Sequence, residues 1–142
     1  MRVFIDSSVL LSAAYLKSGA SAVVVSFCKK ESFIGCVSNY VLKEFKRNAS
    51  AKFNEQTKNR INQVLMASRL TLVNDPTRSI TAKATSLVPS KEAPVLAASL
   101  SFGYEYLVTL DIKHFKTRDF SQYIRPLVIV TPRKLLEVIE KK

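Results

Sequence analysis

Short apolar runs alternate along the chain with longer stretches in which apolar residues recur at the spacing of an amphipathic helix. The short runs are rich in β-branched residues and are predicted to be five strands: Val3–Ile5, Phe33–Val37, Leu70–Val73, Tyr106–Leu110 and Leu127–Val130. Strands that alternate with helices favour a parallel sheet covered on both faces. We therefore predict an α/β fold, a three-layer α/β/α sandwich around a central, mostly parallel five-stranded sheet, with about seven helices.

Capping residues indicate where three of these helices begin. Ser38 stands directly before Asn39, Pro89 and Ser90 stand before Lys91, and Thr131 stands before a proline. A hydroxyl at the N-cap accepts a hydrogen bond from a free backbone N–H, and a proline suits the first helical position because its missing N–H is not needed there. The helices are expected to start at these points.

Length and composition indicate one domain. The 142 residues, of which 47% are hydrophobic, suffice for one core and are too few to suggest two, so residues 1–142 are predicted to be a single domain. The first apolar run follows Arg2 directly and leaves no room for a signal peptide, and no later stretch reaches membrane-spanning length. We expect a cytoplasmic protein without a membrane partner. Cys28 and Cys36 lack a CxxC spacing and are expected to be buried, reduced thiols.

The charge is strongly positive. Against 11 acidic residues the chain has 22 lysines and arginines, which gives a formal net charge of +11. Such a balance favours a polyanionic partner, above all nucleic acid. A cationic surface that serves only solubility remains the alternative, because the chain has neither a lysine-rich tail nor an arginine-rich motif.

Four acidic residues occupy positions that solubility does not explain. Asp6 follows the first predicted strand and Asp111 follows the fourth, so both are expected at the carboxyl ends of parallel strands, where open sheets bind ligands. A role as a helix N-cap explains Asp6 equally well. Glu44 lies on the apolar side of its helix, where a carboxylate needs a cation, a hydrogen-bond donor or a metal; a buried salt bridge is the alternative. Glu92 lies in the first turn of its helix on the core side, although interaction with the helix dipole also suits it there.

Clustered carboxylates without a histidine or cysteine ligand set suit a hard divalent cation. Mg²⁺ and Mn²⁺ prefer oxygen ligands and retain several waters. Such an ion activates a water and stabilises the charge that develops on a phosphodiester. In a basic protein this arrangement predicts metal-dependent phosphodiester hydrolysis.

Four segments, taken in order, resemble the PIN-domain family, which includes the toxin ribonucleases of prokaryotic toxin–antitoxin pairs. The first is an apolar strand followed by Asp, a hydroxyl residue and a short apolar helix, the second ends in Glu, the third is an acid-led helix, and the fourth is an acidic strand end. They are Val3–Ala13, Val37–Glu44, Glu92–Leu100 and Leu107–Asp111, the last followed by His114 and Phe115. The resemblance covers essentially the whole chain.

The resemblance implies a PIN-like fold and a metal-dependent endoribonuclease. Carried over by position, it makes Asp6, Glu44, Glu92 and Asp111 the catalytic site, which would bind Mg²⁺ or Mn²⁺. Ser8 would support that site where the family commonly has Asn, and Glu92 stands where the family usually has Asp. The implied partners are RNA, an antitoxin protein and a second copy of the chain, and the implied role is that of the toxin in a toxin–antitoxin pair.

Two alternatives follow from the same residues. The replacements at positions 8 and 92 are also what a catalytically impaired PIN domain would show, one that acts as an RNA- or protein-binding module. A phosphate-accepting receiver domain likewise places an Asp at a strand end, but it would have an acid pair that this chain lacks before Asp6. His114 could approach a bound phosphate or simply lie at the surface. Ser7 and Thr109 could hydrogen-bond the carboxylates or serve as ordinary capping and strand residues.

Overall fold

In the computed structural model, which describes residues 1–16, 18–52, 54–115 and 119–141, five strands form one sheet. The strands are β1 (Arg2–Ile5), β2 (Ile34–Ser38), β3 (Thr71–Val73), β4 (Tyr106–Val108) and β5 (Val128–Val130). Their order is β3-β2-β1-β4-β5, and every neighbouring pair is parallel. The predicted α/β sandwich with a parallel five-stranded sheet is confirmed. The order also differs from the 2-1-3-4-5 order of receiver domains.

Nine helices accompany the sheet in the described part of the chain. They are α1 (Ser7–Tyr15), α2 (Ala20–Lys29), α3 (Asn39–Lys52), α4 (Glu55–Ala67), α5 (Arg78–Thr85), α6 (Ala93–Ser101), α7 (Ile112–Phe115), α8 (Ser121–Ile124) and α9 (Pro132–Glu140). The count exceeds the prediction by two, and α7 and α8 are single turns of four residues each. A single turn is too short to show a helical period, so the sequence pattern does not reveal it.

The central strand is covered on both faces. Val3, Phe4 and Ile5 are consecutive in β1 and all three are fully buried. Successive side chains of a strand point to opposite faces, so helices must pack against both sides of the sheet. No single helix in the described ranges is long and apolar enough to cross a membrane; α1 and α2 reach that length only as a pair, and they are bent by 101° at the break between them.

The predicted helix starts hold at two of three positions. The hydroxyl of Ser38 accepts a hydrogen bond from the N–H of Val41 at 3.2 Å, and that of Thr131 accepts one from Lys134 at 3.2 Å. The start at Lys91 was wrong, since α6 begins at Ala93. A helix that began at Lys91 would need an N–H donor at position 94, which is a proline, whereas a start at Ala93 places that proline in the first turn, where no donor is required.

The fourth strand is shorter than predicted. It ends at Val108, and the predicted last two residues, Thr109 and Leu110, lie beyond it. The N–H of Leu110 donates to the hydroxyl of Ser8 at 3.1 Å instead of to a neighbouring strand, and its side chain is exposed. Side-chain hydroxyls therefore replace the sheet ladder at this end of β4.

Both cysteines are buried and free, as predicted. Burial raises the pKa of the Cys28 thiol to about 12, and the neighbouring Cys36 adds to the rise. The Sγ of Cys28 packs directly on the backbone of β2, because a Cβ at Gly35 would lie only 2.5 Å from it. Glycine at this position lets α2 approach the sheet closely.

Gly35→Ala should therefore destabilise the protein by about 1–3 kcal/mol, the usual cost of overpacking a core. The added methyl would also meet Leu70 at 3.1 Å and Ile5 at 3.2 Å, so the surroundings cannot yield on one side alone. Chemical denaturation measures the effect, with Ser32→Ala at an exposed position as the control. An unchanged free energy of unfolding would contradict the close packing of α2 on β2.

Candidate active site

The site lies where the strand order reverses. From β1 the chain adds β2 and β3 on one side, and it then returns to add β4 and β5 on the other. In open parallel sheets such a reversal opens a crevice at the carboxyl ends of the two strands that flank it, here β1 and β4. Asp6 follows β1 and Thr109 follows β4. The N–H of Asp6 donates to the carbonyl of Val108 at 3.1 Å, which joins the two strand ends.

Asp6 is held by hydroxyls and by one backbone N–H. Its side chain is only 4% exposed. Oδ1 accepts the N–H of Ser7 at 2.8 Å, while Oδ2 accepts the hydroxyl of Thr109 at 2.7 Å and that of Ser8 at 3.3 Å. Asp6 is also the N-cap of α1, so the capping role considered for it is confirmed.

Thr109 connects the two strand-end acids. It is fully buried, its hydroxyl donates to Asp6, and the same oxygen accepts the N–H of Asp111 at 3.0 Å. The hydroxyls of Ser8 and Thr109 lie 3.4 Å apart. The structure thus favours the hydrogen-bonding role for Thr109 over that of an ordinary strand residue.

Glu44 reaches the same region from α3. Its side chain is half-buried on the side of the helix that carries the buried Val41 and Phe45, as the periodicity predicts. The hydroxyl of Ser7 donates to its Oε1. No described residue forms a salt bridge with Glu44, so the structure offers no support in that part of the chain for the alternative of a buried ion pair.

The electrostatics identify Asp6 as the most perturbed acid. Burial raises its pKa to about 6, repulsion from Glu44 and Asp111 adds to the rise, and the hydrogen bonds from Thr109 and Ser7 oppose it. Among the described residues no cation lies within salt-bridge distance of its carboxylate. A buried carboxylate with two like charges near it and no cation is an environment that a bound divalent ion would relieve.

Glu92 has a different environment. It is 8% exposed, which agrees with the predicted core-side position, but its predicted place in the first turn is wrong, because it precedes α6 as the N-cap. Its Oε1 lies 3.2 Å from Nδ1 of His114, whose side chain is 57% exposed. The sequence pattern missed this contact. The sequence indicates that His114 lies near the site, because it follows the strand-end acid Asp111 by three residues. It does not indicate which side chain the ring contacts.

Tyr40 lies between the two groups of acids. Burial raises the pKa of its hydroxyl, Glu44, Glu92 and Asp6 raise it further, and Arg47 lowers it. The hydroxyl donates to the carbonyl of Lys91 at 3.4 Å, next to Glu92. All of the predicted acids therefore occupy one end of the sheet.

The acids share this region without converging on one point. Asp6 interacts with Glu44 and Asp111, while Glu92 is bonded to His114, and Asp111 is exposed. Across the described ranges, no three His, Cys, Asp or Glu side chains are positioned to hold a metal ion together. The donor set, carboxylate and hydroxyl oxygen, suits Mg²⁺ or Mn²⁺ in kind.

Comparison with known proteins agrees with this description. A family model described as PIN domain matches residues 2–113. No curated protein sequence matches the chain significantly. Among solved structures, PAE2754 from Pyrobaculum aerophilum is similar with a TM-score of 0.68 and 14% identity, over 100% of this chain and 91% of that one.

Two further solved structures have a similar fold. VapBC2 from Rickettsia felis, bound to a DNA fragment from its promoter, has a TM-score of 0.65 and 16% identity, over 92% of this chain and 98% of that one. VapC20 from Mycobacterium tuberculosis, a toxin that cleaves the sarcin-ricin loop, has a TM-score of 0.56 and 12% identity, over 85% of this chain and 94% of that one. The family model spans most of the chain, and the chain accordingly belongs to the PIN-domain family.

Proposed function

We propose that this protein is a metal-dependent endoribonuclease that hydrolyses RNA phosphodiesters at the acidic crevice between β1 and β4. The observation that carries the proposal is the buried carboxylate of Asp6 at the strand-order reversal. Glu44 and Asp111 lie near it, and none of the described lysines or arginines lies within salt-bridge distance of it. PIN domains are typically nucleases that use divalent ions, which supports the same interpretation.

We assign the residues of the crevice two kinds of role, metal binding and orientation of a metal ligand. Asp6, Glu44 and Asp111 are the principal ligands for Mg²⁺ or Mn²⁺, and Glu92 completes the site directly or through a water. Ser8 and Thr109 keep the carboxylate of Asp6 in one orientation through hydrogen bonds at 3.3 Å and 2.7 Å. A bound ion would supply an activated water and would stabilise negative charge on the phosphodiester.

The positive charge of the chain supports RNA as the substrate. The net charge is +11, and α3 exposes Lys43, Lys46 and Arg47 on the helix that carries Glu44. Cations beside a metal site hold the phosphate backbone and release its counterions, mostly without regard to sequence. The charge supports binding of the RNA backbone and does not define a cleavage sequence.

Removal of the metal tests the function. Purified protein incubated with a panel of labelled single-stranded and structured RNAs is expected to cut at least one of them with Mn²⁺ or Mg²⁺ and none with EDTA. Addition of Mn²⁺ after the EDTA should restore cleavage, which excludes loss of the fold. Cleavage that persists in EDTA would overturn the metal dependence.

The alternative is a PIN domain that binds RNA or protein without cutting. The separation of Glu92 from the other acids, through its contact with His114, is the observation that favours it. It predicts that the folded protein retains RNA on a filter but forms no products at any concentration of Mn²⁺ or Mg²⁺.

An antitoxin partner and a homodimer belong to the same proposal. Complexes such as VapBC2 from Rickettsia felis and FitAcB from Neisseria gonorrhoeae, the latter with a TM-score of 0.61 and 15% identity, share the fold and support an antitoxin partner. Growth arrest on expression of this chain, relieved by co-expression of a small protein that copurifies with it, is the expected result for a toxin. Light scattering of the purified protein decides between monomer and dimer.

A further inference from the structure

Glu92 differs from Asp6 and Glu44 because its hydrogen-bond partner is an imidazole ring. Its carboxylate is buried and contacts the ring of His114 at 3.2 Å, whereas Asp6 has only hydroxyls and a backbone N–H around it. A carboxylate can only accept a hydrogen bond, so this contact requires a hydrogen on Nδ1 of the imidazole. Glu92 thereby fixes both the orientation and the tautomer of the ring.

Within the described ranges, no residue forms a hydrogen bond with the other ring nitrogen, Nε2. Nε2 lies on the far side of the imidazole from Nδ1, and more than half of the side chain is exposed. The backbone N–H of His114 donates to the carbonyl of Asp111 at 2.9 Å, which places the ring on the single turn that follows the strand-end acid. The partly exposed ring is therefore held next to Asp111 by the buried carboxylate of Glu92.

The length of the Glu92 side chain accounts for the contact. This position carries Glu where the resemblance leads one to expect Asp, and Glu is longer by one methylene. From the N-cap of α6 the longer side chain reaches the ring of His114 in α7. An Asp at the same position would hold its carboxylate closer to α6.

We infer that Glu92 is a positioning residue that holds His114, and that Nε2 of His114 makes a polar contact with the backbone of the bound RNA. The inference rests on the proposed function, because it takes the crevice as the RNA site. It narrows the role of Glu92, which on this view does not bind the metal ion directly. Asp6, Glu44 and Asp111 then supply the protein ligands.

Nuclear magnetic resonance of the imidazole tests the positioning role without any activity. His114 is the only histidine, so its ring nitrogens give a single set of ¹⁵N signals. In the wild type these should report the tautomer with hydrogen on Nδ1. Both Glu92→Gln and Glu92→Asp should shift the population towards the tautomer with hydrogen on Nε2. Unchanged ring signals in both variants would overturn the inference.

Metal binding separates the two roles of Glu92. Calorimetric titration with Mn²⁺ alone should leave the affinity of Glu92→Gln and Glu92→Asp close to that of the wild type, because on this inference Glu92 contacts the ring of His114 and not the metal ion or the three ligands. A loss of tenfold or more in Glu92→Gln, as expected for a direct ligand, would overturn the inference.

RNA binding in EDTA tests the contact of His114. For a short single-stranded RNA, His114→Ala should weaken binding about tenfold, the loss expected for one hydrogen bond to a charged group. Glu92→Gln should have a similar effect, and the double variant should be no weaker than His114→Ala alone, because the two residues act as one unit. Additive losses, or binding unchanged in His114→Ala, would overturn the inference.

A second acid–base pair provides the matched control. Arg69 and Glu31 form a salt bridge at 2.8 Å. Glu31 precedes β2 and Arg69 precedes β3, so the pair lies at the amino ends of the strands, opposite the crevice. Glu31→Gln should leave the imidazole signals, Mn²⁺ binding and RNA binding unchanged. These measurements do not require cleavage. If the protein cut none of the RNAs, the proposed nuclease activity would be excluded, and these three measurements would still decide the inference on Glu92 and His114.

Discussion

Asp6→Asn is expected to lower the rate of metal-dependent RNA cleavage by at least about a thousandfold while the fold remains intact. Asn keeps the shape of the side chain but removes the charge that would hold the metal ion, and electrostatic stabilisation of the transition state usually contributes most to the rate of such a reaction. The amide oxygen can still accept the hydroxyls of Thr109 and Ser8, and only the N–H of Ser7 would lose its acceptor, so the local structure should survive. Initial rates with Mn²⁺ measure the loss, and circular dichroism checks the fold. Cleavage at the wild-type rate would remove Asp6 from the site.

The same substitution should stabilise the metal-free protein. The pKa of Asp6 is raised from 3.8 to about 6, so between these values the folded state binds more protons than the unfolded state. The free energy of unfolding therefore falls as the pH rises from about 4 to about 6 and is level above that. A shift of about two units corresponds to a cost of up to about 3 kcal/mol at neutral pH.

Denaturation in EDTA across this range tests the effect. The wild type should lose stability between pH 4 and 6, in keeping with the raised pKa of Asp6, and Asp6→Asn should lack this loss. Glu140→Gln, at an exposed position of α9, should follow the wild type. Parallel pH profiles for the wild type and Asp6→Asn would contradict an uncompensated charge in the crevice.

Thr109→Val is expected to reduce cleavage by about 10- to 100-fold, the usual effect of losing a residue that orients a metal ligand. Valine matches threonine in shape but cannot donate to Oδ2 of Asp6 or accept the N–H of Asp111. Because Thr109 is fully buried, the groups left without a partner should also lower the free energy of unfolding by about 1–3 kcal/mol.

Two further variants isolate the hydroxyl of Thr109. Thr109→Ser keeps it and should recover most of the activity. Thr85→Val removes a hydroxyl that bonds only to the backbone of its own helix, so it should leave cleavage unchanged. Cleavage by Thr109→Val at the wild-type rate would mean that Asp6 does not need the hydrogen bond from residue 109.

The sequence predicts the sheet well because its inner strands β1, β2 and β4 are mostly buried and read as apolar runs. For the same reason Asp6 stands out at the end of β1, and the helical period places Glu44 on the core side of α3. These features depend on local periodicity, which the chain displays directly.

Contacts between distant segments are not visible in the same way. The strand pattern extends through Leu110, but the hydroxyls of Ser8 and Thr109 end β4 two residues earlier. The contact of Glu92 with His114 depends on how α6 and α7 pack, and neither residue type requires the other. Such details are fixed by tertiary structure alone.

The central place of β1 in the sheet has a consequence for biosynthesis. Asp6 leaves the ribosome before the threonine that orients it, which lies 103 residues later, and the N–H of Thr109 in turn donates to Val130 in β5. Long-range pairing of this kind forms late in folding, because loop closure must precede it. A nascent chain that ends before β4 carries the first acid of the crevice without its partners. The proposed nuclease activity is thus expected to be absent during translation until β5 has emerged.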